Sequence, residues 1–184
     1  MKKPKKLTNN KWLNLFETET NGKPYFFCSR KKEPLIDNKP DAVVIVAYKE
    51  TDEGLKLIVT KEFRVAIGGY EYGFPAGLIN EGEDYEITAI REMKEETGLD
   101  VDKIIYTSEQ VYNSAGMTDE SVIMIFVTVT GNISREHLED GEDIHTYEWY
   151  QHEVSYAMGR GDLKFGAKAW FIMDHFARTG KKWI

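Results

Sequence analysis

At 184 residues and 41% apolar, the chain can bury the core of one ordinary domain with room for a small appendage. Its formal charge of −7, with no long basic block, argues against a nucleic-acid platform, so an anionic small molecule would have to be met by local arginines or by metal. A single cysteine, Cys28, rules out an internal disulfide and a cysteine metal cluster, and no apolar run approaches the ~20 residues of a membrane helix. The basic start MKKPKK is followed by no hydrophobic signal region, so the expected location is the cytoplasm, away from any membrane.

Residues 11–31 read as two short strands joined at Asn21-Gly22, a dipeptide suited to a two-residue hairpin turn. Trp12, Leu13, Leu15 and Phe16 form the first strand, and Tyr25, Phe26 and Phe27 the second, with Cys28 packed in it. Such a ribbon is marginal alone, so it should pack on something. Residues 32–40, with Pro34, Asp37, Asn38 and Pro40, read as a linker, which predicts an N-terminal β extension over 1–40 and a main domain over 41–184. The continuous β-branched content of Ala42–Tyr48 predicts a buried strand. Leu55–Phe63 is the next strand, and Gly68-Gly69 a flexible turn.

Phe74-Pro75-Ala76-Gly77 delivers the chain into its most unusual stretch, GLINEGEDYEITAIREMKEETGL, residues 77–99. A glycine-bounded loop, Gly77 to Gly82, is followed by a helix from about Asp84 to Thr97, a span free of proline and glycine. Glu83 and Asp84 sit where the helix dipole favours negative charge, and Gly98 supplies a left-handed stop. At about 3.6 residues per turn Glu92, Glu95 and Glu96 share one face, Ile87 and Ile90 point roughly the other way, and Arg91 can pair with Glu95. Carboxylates crowded at i, i+4 repel, and a divalent cation such as Mg²⁺ or Mn²⁺ would offset the repulsion. The alternative is a solvated acidic face.

Further strands are expected over Ile104–Tyr112, Val122–Val129 and Thr146–Tyr150, with a polar loop carrying one helical turn over Asn132–Asp143. Leu163–Arg178 reads as an amphipathic helix whose stripe, Phe165, Ala169, Ile172, Met173 and Phe176, is core packing. His137, His145, His152 and His175 do not cluster at ligand spacing and read as surface or satisfied residues.

Gly77, five residues, Glu83, seven residues and then Arg91-Glu92-Met93-Lys94-Glu95-Glu96-Thr97-Gly98-Leu99 resembles the Nudix box, with every fixed position filled. The resemblance implies an α/β Nudix fold, an α/β/α sandwich with a mixed β-sheet, here with a short N-terminal β-hairpin extension. It also implies divalent-metal dependence and cleavage of the diphosphate of a nucleoside diphosphate linked to another moiety. By that likeness Glu92 and Glu96 are metal ligands, Glu95 is a further ligand and catalytic residue or is held by Arg91, and Gly77 lets the backbone turn so that the Ala76 carbonyl also reaches metal. Within the superfamily the chain resembles ADP-ribose pyrophosphatases and nucleotide-sugar hydrolases. Their N-terminal pieces pair with a second subunit, which implies a homodimer in which Trp12 and Tyr25 stack on a base and Arg30 reaches a phosphate or ribose. Plain core or interface aromatics are the other reading. Arg64, in Lys61-Glu62-Phe63-Arg64, is a phosphate clamp by the same likeness, or a surface ion pair.

Ser114-Ala115-Gly116 is similar to a Ser-Pro-Gly segment that precedes a water-activating glutamate in those enzymes, which puts Glu120 forward as general base, against the reading of an exposed loop acid. Two departures bear on substrate: Ala115 replaces the proline, and Gly73 stands where many ADP-ribose pyrophosphatases carry an acid two residues before the proline. These departures favour a UDP- or GDP-sugar as the alternative, while the overall likeness implies ADP-ribose as the leading substrate. A nucleotide-sensing module without catalysis is a third reading, opposed by the intact box acids.

Overall fold

The computed structural model describes residues 2–138 and 141–184 and contains two β-sheets. The smaller one has three strands, β1 (Lys5–Lys6), β2 (Asn14–Thr20) and β3 (Lys23–Ser29), all antiparallel. Asn21 and Gly22 both take positive φ, 52° and 76°, the conformation a type I′ turn demands. The expected two-stranded ribbon thus gains a third strand, and Trp12 and Leu13 lie ahead of β2 rather than in it. Along β2, Asn14, Phe16 and Thr18 turn inward, and Phe16 stacks on Phe27 with ring centroids 5.7 Å apart.

The larger sheet runs in the order β11-β6-β5-β4-β9-β8. Its strands are β4 (Ala42–Thr51), β5 (Gly54–Arg64), β6 (Gly69–Gly73), β7 (Ala76–Leu78), β8 (Asp100–Tyr112), β9 (Ser121–Thr130), β10 (Ile144–Tyr150) and β11 (Lys164–Phe165). β10 pairs with β5 and β7 with β4. The sheet is mixed: β4 with β9 and β6 with β11 are parallel, and the other pairs antiparallel.

Helix α1 (Tyr85–Thr97) covers one face, where Ala89 and Met93 meet Val43, Ile45, Ile58 and Ile125. Helices α2 (Gln151–Met158) and α3 (Ala167–Thr179) cover the other, where Val154, Ile172, Met173 and Phe176 meet Val46, Tyr48, Leu57 and Phe126. Both faces of β4 are therefore buried, which is why its sequence is a continuous apolar run rather than an alternation. The layers are helix, sheet, helix.

Two expectations change, and one element is added. The C-terminal helix begins at Ala167, because residues 164–165 pair in parallel with β6; Phe165 packs from a strand against Tyr72, centroids 5.8 Å apart. Helix α2 occupies a stretch that carries no helical stripe in the sequence, with Val154 and Ala157 its buried residues. The described part of the 132–143 loop makes a turn, with Leu138 N–H reaching the Arg135 carbonyl at 3.4 Å, rather than a helical turn; Glu139 and Asp140 lie outside the described residues.

Candidate active site

α1 is set in place at both ends. The Asp84 carboxylate accepts from the Glu86 N–H at 2.8 Å, and Gly98 closes the helix with φ 76°, its N–H bonded to the Lys94 carbonyl. The helix faces β7, and the contact is close at one point. A Cβ on Gly77 would lie 1.9 Å from the Glu92 carboxyl carbon. Gly77 does not take a positive φ, so what position 77 requires is room for Glu92, not a left-handed backbone. One turn on, Glu96 is buried at 6% exposure and accepts from the Ala76 N–H at 3.2 Å.

Arg91 ties the acids together. It donates to Glu83 at 3.0 Å, to Glu92 at 2.7 Å and to Glu95 at 2.9 Å, and also reaches the Leu78 carbonyl at 3.3 Å. Its hydrogen bonds hold the Glu83 carboxyl down to about 2. They do not offset burial at Glu92, whose pKa is raised. Glu96 is raised well above its ordinary value, first by burial and then by the charges of Glu92 and Glu62; the Ala76 N–H opposes this, and Glu142 adds to it.

Glu62 and Glu142 were not singled out in the sequence. Glu62, on β5, is itself raised by burial, with Arg64 opposing and Glu142 and Glu71 adding. Glu142 stands just ahead of β10, and its charge acts on Glu62, Glu92 and Glu96 alike. Among the described residues no three His, Cys, Asp or Glu side chains form a ready metal cage. The donor set still fits a hard divalent cation: its ligands are oxygens, one acid is almost wholly buried amid like charge, and Mg²⁺ commonly needs only one or two carboxylates plus substrate phosphates.

A second polar group lies where the N-terminal sheet meets the loop between β8 and β9. Arg30 donates to Glu120 at 2.8 Å, and Asn113 donates to the other Glu120 oxygen at 2.7 Å. Burial would raise Glu120, but Arg30, Asn113 and the more distant Lys168 outweigh it, and its pKa falls below the ordinary carboxylate value. Tyr25 commits its hydroxyl to the Gly116 carbonyl at 2.7 Å, and Trp12 is 63% exposed. Arg64 is exposed and paired with Glu62 at 2.5 Å and Glu71 at 3.3 Å. Arg30 also lines a cleft of about 780 Å³ with the 78–85 loop, so the extension and the glycine-bounded loop share a wall.

A protein-family model for the NUDIX domain matches residues 38–168. The chain belongs to this family. Relatives of the NUDIX domain chain include the ADP-ribose pyrophosphatase of Saccharomyces cerevisiae, 30% identical over 81% of this chain and 68% of that protein. The ADP-ribose pyrophosphatase of Bacillus subtilis is 36% identical over 59% of this chain and 56% of that protein, and the ADP-sugar pyrophosphatase of Mus musculus is 30% identical over 68% and 59%. The chain thus spans about 56–68% of the length of these curated relatives. The crystal structure of an ADP compounds hydrolase shares the NUDIX fold at a TM-score of 0.65 and 16% identity, over 98% of this chain and 97% of that one.

Proposed function

We propose that the chain hydrolyses the diphosphate bond of a nucleoside diphosphate joined to a sugar, with ADP-ribose, giving AMP and ribose 5-phosphate, as its leading substrate. The observation that carries this reading is the packing of Glu92 flush against Gly77 beside a buried Glu96, with Glu62 and Glu142 adding negative charge. Burial and like charge raise Glu96 well above its ordinary value, and a bound cation would offset both. The names of the yeast, Bacillus and mouse relatives support the substrate class.

Glu92, Glu96 and the Ala76 carbonyl would hold Mg²⁺ or Mn²⁺, with Glu95 beside them. Such an ion neutralises charge on the diphosphate and lowers the pKa of a bound water. The protein's own contribution is orientation: Arg91 fixes the rotamers of Glu92 and Glu95, and the Ala76 N–H fixes Glu96.

Two acids compete for the role of water activation. Glu120 is held by Arg30 and Asn113 with a lowered pKa, which makes it a weaker base and a better anchor. Glu142 stands two residues before Ile144, which faces Glu62 across the β5–β10 pair, and this placement supports Glu142 as the residue that orients or deprotonates water. Glu142→Gln should then cost far more turnover than Glu120→Gln. In the same reading Arg30 and Arg64 help position the diphosphate, after exchanging their carboxylate partners for it, and Trp12 and Tyr25 flank the base. The exposed Trp12, Leu13 and Phe26 support a homodimer through the N-terminal sheet, which light scattering at micromolar concentration tests.

The deciding experiment is a panel of ADP-ribose, UDP-sugars and GDP-sugars with Mg²⁺, following nucleoside monophosphate release. ADP-ribose leading the panel supports the proposal. A UDP- or GDP-sugar leading it moves the base preference, and binding without release would replace hydrolysis by sensing.

A further inference from the structure

The basic side chains near Glu120 and Glu71 differ in what holds them. Arg30 is bound by Glu120, and Arg64 by Glu62 and Glu71. Lys168, partly buried in the first turn of α3, instead donates to the neutral side-chain oxygen of Asn113; among the described residues no carboxylate stands within ion-pair distance of it. Asn113 cannot turn away freely, because its amide nitrogen donates to Glu120 at 2.7 Å and its backbone N–H to the Glu120 carbonyl at 3.0 Å. An ammonium has three N–H donors, so this one keeps two in hand.

For folding alone the position is a poor one for lysine. The first turn of a helix disfavours a cation, and partial burial takes away water. Burial pulls the Lys168 pKa down, while Glu120 and Glu71 pull it back up. Contacts link the residue to the main cluster: Glu71 lies 3.4 Å from where a Cβ on Gly166 would stand and bonds Arg64, which in turn bonds Glu62. The main-chain register agrees, since Gly166, two residues before Lys168, bonds the Tyr72 carbonyl on β6.

We propose that Lys168 is an anion-binding residue beside Glu120, aimed by Asn113 so that its spare N–H donors meet a phosphate oxygen of the nucleoside diphosphate. The inference rests on the hydrolase reading for its ligand. It names a contact that neither the sequence motif nor the family match assigns. A compact ammonium suits phosphate as a point charge, and one charge-assisted hydrogen bond to an anion is worth about tenfold to a hundredfold in affinity.

The test compares wild type, Lys168→Gln, Lys168→Arg and the surface control Lys181→Gln in Mg²⁺ buffer, reading both steady-state hydrolysis of ADP-ribose and calorimetric binding of ADP. Lys168→Gln should raise KM and weaken ADP binding by about tenfold or more while kcat stays within about twofold. Lys168→Arg should recover most of the loss, and Lys181→Gln should behave as wild type. An unchanged KM and ADP affinity in a folded Lys168→Gln protein overturns the proposal and leaves the hydrolase reading intact. A wild type that leaves ADP-ribose uncut but loses ADP affinity on Lys168→Gln keeps the contact and removes the hydrolase reading. A wild type that does neither removes both.

Discussion

Glu96 is a buried carboxylate on which the charges of Glu92, Glu62 and Glu142 act. If that site serves a cation, neutralising the side chain harms activity and not the fold. Glu96→Gln is expected to lower kcat/KM by roughly a hundredfold or more, as metal stabilisation of several kcal/mol implies, while the melting temperature holds or rises. Parallel kinetics and thermal melts check this. Glu83 makes a different prediction, about stability. Its folded pKa of about 2 lies below its ordinary 4.5, so its pairing with Arg91 stabilises the fold above pH 4.5. That contribution is lost as pH falls from about 4.5 toward about 2. Glu83→Gln should therefore melt below wild type at neutral pH, with the gap closing through that acid window. A gap that does not change with pH would show that the ion pair is not its source.

Among the elements, α1 is the one whose ends decide the site, because its caps fix where Glu92 and Glu96 emerge. Asp84→Ala should cost about 1 kcal/mol in urea unfolding, the usual worth of an N-cap. Signals of this local kind are legible in the sequence: Asn21-Gly22 marks the hairpin, Gly98 the helix stop, and the spacing from Gly77 to Gly98 the acidic face. Ala42–Tyr48 is legible as buried because a strand covered on both faces leaves an unbroken apolar run. Elements that depend on distant partners are not. Lys164-Phe165 is a strand only because β6 offers it an edge, and α2 is too short, with Val154 and Ala157 its buried residues, to show a periodic stripe. Glu142 reads in sequence as part of a polar loop. Its place beside the acids arises because β10 pairs with β5, setting Ile144 opposite Glu62 across 82 positions of chain that no local pattern bridges. Asn113 and Lys168 meet for the same reason, across elements far apart in sequence.

Taken whole, the molecule is a small sheet latched to a larger sandwich by one strap, the segment from Asn113 to Glu120. Cys28 donates to the Met117 carbonyl at 2.9 Å, Tyr25 to Gly116 at 2.7 Å, and Ser29 to Asp119 at 2.9 Å. The second oxygen of Asp119 is buried without a hydrogen-bond partner, so Ser29 supplies the side-chain donor that the carboxylate has. Ser29→Ala should cost about 1–3 kcal/mol, the penalty of leaving a buried acceptor unmade, and should speed amide exchange across 113–120. An exchange pattern identical to wild type would mean that the strap is held by its backbone bonds alone.

We propose that the glutamates beside Gly77 hold a divalent cation that would neutralise charge on a bound diphosphate. This is tested most directly by following AMP release from ADP-ribose in one sample, through addition of EDTA and then of excess Mg²⁺. The account predicts steady release, arrest on chelation and recovery on re-addition. Release that continues unchanged through chelation would contradict it.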